Sequence, residues 1–198
     1  DVRVQDQCRA LIEAVAAYFG RLDVLVNNAG GARHAPLRTA SFESWRQDMS
    51  LNLDSAFFCA QAAYPHLKAA AAESGQAAVV NISSMAGNGG TMGCGGYSAA
   101  KAGLQMFTRV AAAEWGPKGV RVNSVAAGMI ATPLAKANWA KTGFDAAAVT
   151  TAFPLRRPVR KMSAADIAAG TAYAGNTLRI PHLPAPKPGR LSGGEMQR

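Results

Sequence analysis

Apolar residues near the start of the chain repeat with the period of an α-helix. Six of them follow the spacing i, i+3, i+4, i+7, i+8 and i+11, at Cys8, Leu11, Ile12, Val15, Ala16 and Phe19. This spacing predicts a helix that turns one apolar stripe toward the core. Gly20 follows and suits the left-handed conformation that ends many helices. Residues 22–27 (LDVLVN) then predict a short buried strand.

The middle of the chain alternates between helix and strand patterns. A helix is predicted over 41–72, with Ser41 as its N-cap. Four apolar residues recur at successive turns of this helix: Trp45, Met49, Leu53 and Phe57. Strands are predicted at 77–82 and 120–125, and a glycine-rich loop and a helix over 97–115 separate them. This alternation is typical of a parallel sheet with crossover helices, which makes the fold class α/β.

Polar residues and glycines follow all three predicted strands. They occupy 27–30 (NNAG), 83–84 (SS) and 127–128 (AG). Ligands of an open parallel sheet bind at the carboxyl ends of its strands. The sequence therefore predicts one crevice lined by these segments, although Asn27 itself is expected to bond across the sheet.

The length and composition fit one globular domain, because the 198 residues are 49% hydrophobic and 17% charged. We find no apolar run of about 18 residues and no charged-then-apolar leader, so neither a membrane span nor a secretory signal is predicted. Cys8, Cys59 and Cys94 lack metal-ligand spacing, and so do His34, His66 and His182. We therefore predict no metal site and a reducing, cytoplasmic compartment.

The net charge of +9 raises the possibility of nucleic-acid binding. Residues 156–198 hold 8 of the 21 basic residues but only 2 of the 12 acidic ones, so most of the excess lies there. Tyr173 is the only aromatic residue in that segment, whereas nucleic-acid surfaces combine basic residues with aromatics or a basic stripe. The distribution therefore argues against a nucleic-acid partner.

Tyr97 and Lys101 carry the candidate chemistry. They lie four positions apart near a helix start and share one face. A neighbouring ammonium favours the phenolate and lowers the pKa of a tyrosine, which suits acid–base work. Ser84 ends the preceding strand and offers a hydroxyl to the same crevice. The alternative for the pair alone is a solvated helix face.

These segments together resemble the short-chain dehydrogenase/reductase family. The matching motifs are NNAG at 27–30, SLNLDSAFF at 50–58, NISSMAG at 81–87, YSAAK at 97–101 and VRVNSVAAGMIATP at 120–133. The stretch around YSAAK also resembles the beta-ketoacyl-carrier-protein reductase branch. The resemblance implies a Rossmann-like doubly wound parallel sheet, and an oxidoreductase that transfers a hydride between NAD(P)(H) and a carbonyl or secondary alcohol.

The resemblance also implies roles for four residues. Tyr97 would be the general acid for carbonyl reduction or the base for alcohol oxidation, and Ser84 would hydrogen-bond the substrate oxygen. Lys101 would assist Tyr97 and hold the nicotinamide ribose. Asn52 would anchor a water that relays protons through Lys101, with a purely structural bond to the backbone as its alternative.

The resemblance implies contacts with the cofactor in the same way. Asp1 and Val2 would lie at the adenine edge, Asn28, Ala29 and Gly30 would line the adenosine side, and Ile130 and Thr132 would contact the nicotinamide carboxamide. The choice between NAD and NADP stays open, because the family's discriminating position is not among the 198 residues. Residues 131–158 would form a substrate lid, or else surface helices.

The sequence departs from the family at both ends. The opening strand with its TGxxxGxG turn, and the usual last strand, are not found. We therefore expect an N-terminally truncated sheet that lacks its C-terminal strand. The expected domains are a partial Rossmann domain over 1–180 and a Pro-rich basic tail over 181–198, disordered or artefactual. The 198 residues alone are expected to bind NAD(P)H weakly or not at all, to show no measurable turnover and to aggregate.

The resemblance predicts a homodimer or homotetramer built on the helices 41–72 and 97–115. The alternatives are a non-catalytic fragment or assembly module, and a basic tail that acts as a binding element. The last eight residues, 191–198 (LSGGEMQR), resemble the signature of ABC-transporter ATPases. The sequence contains no GxxxxGK[ST] loop, which argues against an ATPase.

Overall fold

The described part of the chain has a parallel sheet with the strand order β1-β2-β3. The strands are β1 (Val24–Asn27), β2 (Ala77–Ser84) and β3 (Val120–Ala127). The computed structural model describes residues 1–143 and residue 145. The chain divides into two units, Asp1–Ala127 and Gly128 onward, and the sheet belongs to the first.

Helices connect these strands in the crossover pattern. Their bounds are α1 Gln5–Phe19, α2 Phe42–Met49, α3 Ser55–Ser74, α4 Ala86–Gly89, α5 Gly95–Trp115 and α6 Pro133–Thr142. α3 lies between β1 and β2 in the chain, and α5 lies between β2 and β3, so both parallel pairs are bridged by a helix. The predicted α/β, Rossmann-like parallel fold is confirmed.

The core lies between this sheet and the helices α1, α3 and α5. Leu67 of α3, Val79 of β2 and Val120 of β3 are completely buried, and Ile12 of α1 joins the same cluster. Alanines fill much of the α3 side, at Ala63, Ala70 and Ala71. Small side chains let a helix approach the sheet closely, which brings the carboxyl ends of β1 and β2 near the first turns of α3 and α5.

The predicted stripe of α1 is only half correct. Cys8, Ile12 and Ala16 are buried, but Leu11 and Phe19 are exposed. Among the described helices α1 packs mainly against α3. One partner helix covers a narrower strip than a stripe of six residues would fill. Gly20 ends α1 with a φ of 70°, as predicted.

The prediction of a buried first strand is wrong for β1. Leu25 packs against the core, while Val24 and Val26 on the opposite face are exposed. Within the first unit α3 packs against β1, on the face that carries Leu25. β1 therefore alternates like a half-buried strand rather than a strand covered on both faces.

The long helix predicted from Ser41 is interrupted. Ser41 caps α2 as expected, and its Oγ accepts a hydrogen bond from the Ser44 N–H at 3.1 Å. A π-helical turn then occupies Ser50–Asp54 before α3 begins at Ser55. Periodicity cannot predict such a turn, because one inserted residue leaves the apolar pattern on either side intact.

The remaining predicted elements are confirmed with shifted ends. Both later strands are two residues longer than predicted, and a short helix, α4, lies in the glycine-rich loop. α6 begins after Thr132, and the rest of the predicted lid at 146–158 lies outside the described residues, as does the predicted tail. No helix in the described part of the chain is long and apolar enough to cross a membrane. The three cysteines are free thiols.

Candidate active site

Tyr97 and Lys101 occupy the first two turns of α5, at the carboxyl edge of the sheet. Tyr97 is half-buried, and Lys101 is only 4% exposed. The Lys101 ammonium lies 5.8 Å from the centre of the Tyr97 ring. It also donates a hydrogen bond of 2.7 Å to the carbonyl of Ile82, near the end of β2. The predicted pair is thus formed by side chains that share one helix face.

Burial sets the electrostatic character of Lys101. Removing the ammonium from water lowers its pKa from 10.5 to about 8. Its amine stays mostly protonated at neutral pH and carries three donors. Ile82 O is the one hydrogen-bond acceptor that the described residues supply. Two donors therefore remain for a bound ligand with hydroxyl groups.

Asn52 lies in the π-helical turn and is 1% exposed. Its Nδ2 donates to Gly31 O and to Asp48 O, both at 2.9 Å, and its Oδ1 accepts from the Gly31 N–H at 2.9 Å. The side chain therefore holds the loop after β1 against the π-helical turn. Both amide protons are used, and one lone pair of Oδ1 remains.

The side chains of Asn52 and Lys101 both approach Gly30 closely. A β-carbon placed on Gly30 would lie 2.8 Å from Asn52 Oδ1 and 3.1 Å from Lys101 Nζ. Both polar atoms thus lie on the same side of Gly30. The absence of a side chain at this position keeps that space open.

Ser84 ends β2, in register with Ala127 of β3. Its Oγ accepts a hydrogen bond from the Ala86 N–H at 3.1 Å, which leaves the hydroxyl proton available among the described residues. Gln105, one turn after Lys101, donates to Ser84 O at 3.2 Å and to Ser83 Oγ at 3.1 Å. These bonds fix the end of β2 against α5. Sequence reasoning missed Gln105, although its spacing of four from Lys101 was visible.

The residues predicted for the adenosine side lie at two places. Asn28, Ala29 and Gly30 are exposed just beyond the carboxyl end of β1, where the crevice was predicted. The Asp1 carboxylate pairs with the Arg3 guanidinium at 2.6 Å, ahead of α1. Val2 O accepts a hydrogen bond from Cys8 Sγ at 3.1 Å. No contact in the described residues joins Asp1 or Val2 to Tyr97 or Lys101.

Ile130 and Thr132 belong to the second unit. Ile130 is exposed, and Thr132 Oγ1 caps α6 by accepting a hydrogen bond from the Ala135 N–H at 3.1 Å. The predicted contact of both residues with a nicotinamide carboxamide stays a prediction.

Asn27 has a structural role, as predicted. Its Nδ2 donates to Asn81 Oδ1 at 2.8 Å, and Asn81 Nδ2 donates to Thr108 Oγ1 at 2.9 Å. Thr108 in turn donates to Leu104 O at 2.7 Å. This chain of bonds satisfies the polar groups between the sheet and α5, since Asn81 is completely buried.

The arrangement offers a phenol, a buried ammonium and a serine hydroxyl at the carboxyl edge of a parallel sheet. Such a set can donate or accept a proton at a ligand oxygen and hold hydroxyl groups. No group of three or more His, Cys, Asp or Glu side chains in the described residues could hold a metal ion. Fold and site together define the class of α/β proteins whose ligands bind at the strand ends.

The comparison with protein families gives the particular family. The model of the short chain dehydrogenases matches residues 1–143. The chain belongs to this short-chain dehydrogenase family, as its motifs predicted.

Individual relatives agree with this assignment. The chain is 43% identical over 135 residues to cis-4-hydroxycyclohexanecarboxylate dehydrogenase of Sinomonas cyclohexanicum, covering 68% of this chain and 53% of the relative. It is 37% identical over 139 residues to D-threitol dehydrogenase of Mycolicibacterium smegmatis, covering 70% and 52%. The crystal structure of NADH-dependent reductase A1-R', responsible for alginate metabolism, matches with a TM-score of 0.70 and 31% identity, covering 81% of this chain and 61% of that chain. The chain spans about half the length of these curated relatives.

The close approach at Gly30 leads to a testable prediction. Gly30→Ala places a methyl group against Asn52 Oδ1 and Lys101 Nζ, and we expect it to lower the free energy of unfolding by about 1–3 kcal/mol. Gly31→Ala is the matched control, because a β-carbon there meets nothing within 4 Å. It should change stability by less than about 0.5 kcal/mol. Chemical denaturation of the two variants provides the comparison, and equal losses would contradict the described packing.

Proposed function

We propose that the whole protein is an NAD(P)-dependent oxidoreductase that interconverts a secondary alcohol and a carbonyl compound. The observation that carries this proposal is the buried ammonium of Lys101 beside the Tyr97 ring, with two donors left for a ligand. Burying an ammonium is costly, and Lys101 forms no ion pair with the residues that the structure describes. Its position is therefore best explained by a ligand that Lys101 binds.

The proton chemistry would centre on the Tyr97 hydroxyl. During reduction Tyr97 Oη donates its proton to the carbonyl oxygen of the substrate, and during oxidation it removes the proton of the alcohol. The Ser84 hydroxyl, whose proton is available, donates a hydrogen bond to the same oxygen and orients it. The positive charge of Lys101 stabilises the negative charge that forms on Tyr97 Oη.

The proposed cofactor is NAD or NADP. The two remaining donors of Lys101 fit the hydroxyl groups of a ribose, and the exposed Asn28, Ala29 and Gly30 offer backbone groups beside it. When bound, the nicotinamide supplies or accepts the hydride. Ile130 and Thr132 are proposed to hold its carboxamide, and Asp1 and Val2 to meet the adenine.

Asn52 is proposed to anchor a water molecule that passes protons to and from Lys101. The remaining lone pair of Asn52 Oδ1 can accept a hydrogen bond from that water, and Lys101 Nζ lies on the same side of Gly30. The buried hydrogen bonds of Asn52 keep its amide in one orientation. The residue would thereby connect the proton donor to solvent without taking part in the hydride transfer.

Two substrate classes follow from the relatives and the motifs. Cyclic or acyclic secondary alcohols are suggested by the names of the dehydrogenases that the chain resembles. Oxoacyl thioesters are suggested by the resemblance of residues 90–104 to the ketoacyl reductase branch. The proposal commits to the secondary alcohol and carbonyl pair that both classes contain.

A direct assay tests this proposal. The whole protein is incubated with NAD⁺ or NADP⁺ and a panel that includes cis-4-hydroxycyclohexanecarboxylate and D-threitol, and the reduced nicotinamide is followed by its absorbance. We expect turnover with at least one alcohol. Titration calorimetry with NADH and NADPH in parallel measures binding, and absence of binding by the whole protein to both would refute the proposal.

The helices α3 and α5 are proposed to form a two-fold contact between copies of the chain. Phe57 of α3 and Met106 and Val110 of α5 are exposed apolar residues, and Phe57 contacts Phe107 at 6.2 Å between ring centres. An apolar outer face on two adjacent helices is typical of a homodimer interface.

Met106→Glu tests this interface. A carboxylate buried in an apolar contact costs several kcal/mol, so we expect the variant to be a monomer at concentrations where the original protein is a dimer or tetramer. Met92→Glu is the matched control, because Met92 is exposed in the loop before α5. Light scattering distinguishes the two, and a monomeric original protein would end the proposal.

A further inference from the structure

Asp48 is a buried acid that the proposed chemistry does not use. It lies in the last turn of α2, is 3% exposed, and forms no ion pair within 4 Å among the described residues. Burial raises the pKa of its carboxyl, while the Arg33 charge and backbone hydrogen bonds from Tyr97 and Arg33 oppose this increase. A solitary acid on a helix is usually solvated, so its burial here requires an explanation.

The Asp48 side chain lies against the first turn of α5. A β-carbon on Gly96 would lie 2.8 Å from Asp48 Oδ2 and 3.1 Å from its Cβ, so only glycine permits this approach. The backbone N–H groups of Tyr97 and Arg33 lie next to the carboxylate, where their hydrogen-bonding influence lowers its pKa. Its own carbonyl accepts from Asn52 Nδ2 at 2.9 Å. Asp48 therefore contacts three segments that surround the site.

The first turn of α5 needs such a partner. The N-terminal N–H groups of a helix have no acceptors within the helix and are usually satisfied by a side chain at the N-cap. Cys94 occupies that position and makes no capping hydrogen bond. Gly95 and Gly96 follow, so the turn that carries Tyr97 has few side chains to hold it in place. The Asp48 carboxylate lies beside this turn, on a different helix, and is the nearest acceptor in the described packing of Gly96.

We propose that Asp48 is a positioning residue that fixes Tyr97 for proton transfer by capping α5 from α2 and by tying the loop at Arg33 to the same turn. This inference rests on the proposed function, because it assigns the purpose of the cap to the Tyr97 hydroxyl. Asp48 touches neither the substrate nor the cofactor in this account. It acts only through the backbone that carries Tyr97.

Two substitutions separate the hydrogen bond from the charge. Asp48→Asn keeps an acceptor oxygen of the same size without the charge, and Asp48→Ala removes the acceptor. Glu43→Gln is the control, because Glu43 is an exposed acid on the same helix, bonded only to Gln47 in the described residues. Each variant is checked for folding by circular dichroism before it is assayed.

Two measurements show the effect of these substitutions, namely amide hydrogen exchange and steady-state kinetics. Amide hydrogen exchange of the segment 95–98 should be about 5- to 10-fold faster in Asp48→Ala, because one hydrogen bond is lost. In the whole protein kcat should fall by up to about 100-fold, the loss that a displacement near 1 Å can cause, while the dinucleotide KM changes less than about twofold. Asp48→Asn should keep most of the original exchange protection and turnover, and Glu43→Gln should match the original in both.

The outcomes distinguish this inference from the proposed function. Unchanged exchange at 95–98 in a folded Asp48→Ala variant would overturn the cap, whether or not the protein has activity. Equal losses of kcat in Asp48→Asn and Asp48→Ala would show that the charge matters rather than the acceptor, and would overturn positioning by the hydrogen bond. No turnover in the original protein, together with faster exchange in Asp48→Ala, would refute the oxidoreductase function and with it the catalytic purpose of the cap.

Discussion

Tyr97→Phe is expected to lower kcat of the whole protein by at least about 100-fold, because general acid–base catalysis supplies about 10²–10⁴-fold and this substitution removes the proposed proton donor. The aromatic ring stays in place beside Lys101, so the fold should be unchanged. Steady-state kinetics with the best alcohol of the panel measures the loss. Titration calorimetry should show dinucleotide affinity within about threefold of the original.

Tyr18→Phe provides the matched control for this prediction. Tyr18 is an exposed tyrosine on α1, and removal of its hydroxyl should leave turnover unchanged. If Tyr97→Phe kept the original kcat, the proton would have to come from another group and the assignment of Tyr97 would be wrong.

Lys101→Met is expected to have the second large effect. The substitution removes the charge next to Tyr97 and the two donors proposed for the ribose, so turnover should fall at least about 100-fold and dinucleotide binding should weaken. Methionine fills a similar volume, which limits the loss of packing around this buried side chain. Lys68→Met on the exposed face of α3 is the control and should retain both properties.

The pH dependence of stability gives Lys101 a second test. Its pKa is about 8 in the folded protein and 10.5 without burial. Between these values the unfolded chain binds more protons than the folded chain, so stability rises with pH in this window. Below about pH 7 both states are protonated, and the cost of the buried ammonium is constant.

Denaturation of the original protein and of Lys101→Met across this pH range isolates the effect. Without a bound dinucleotide, the original protein should gain stability relative to the variant as the pH rises from about 8 to 10.5. A difference that stays constant over the same range would mean that burial does not shift the Lys101 pKa.

Much of the fold could be predicted because local patterns agreed with the final packing. The crossover order of helices and strands, the Ser41 cap and the Gly20 terminus all depend on neighbouring residues in the chain. Leu11 and Val24 were misjudged for a different reason. Their burial depends on which elements cover each face, and the pattern of a single helix or strand does not contain that information.

The candidate site likewise has features that the sequence predicts and features that only the packing decides. The spacing of Tyr97 and Lys101 on one helix face, and the position of Ser84 at a strand end, were visible in the sequence. The contact of Gly30 with Asn52 and Lys101 was not, because it depends on the π-helical turn that reorients Asn52. Asp48 was missed since an acid in a polar helix segment usually faces water. Its burial depends on the packing of α2 against the first turn of α5 at Gly96, which the pattern of α2 alone does not contain.

Transfer of a labelled hydride tests the central claim most directly. The whole protein is supplied with NADH or NADPH deuterated at the transferable position of the nicotinamide ring, together with the ketone of the best alcohol, and the product is analysed by mass spectrometry. We expect deuterium on the carbinol carbon of the product made by the original protein, and almost none with Tyr97→Phe in the same time. A product without deuterium, formed by the original protein, would contradict hydride transfer at this site.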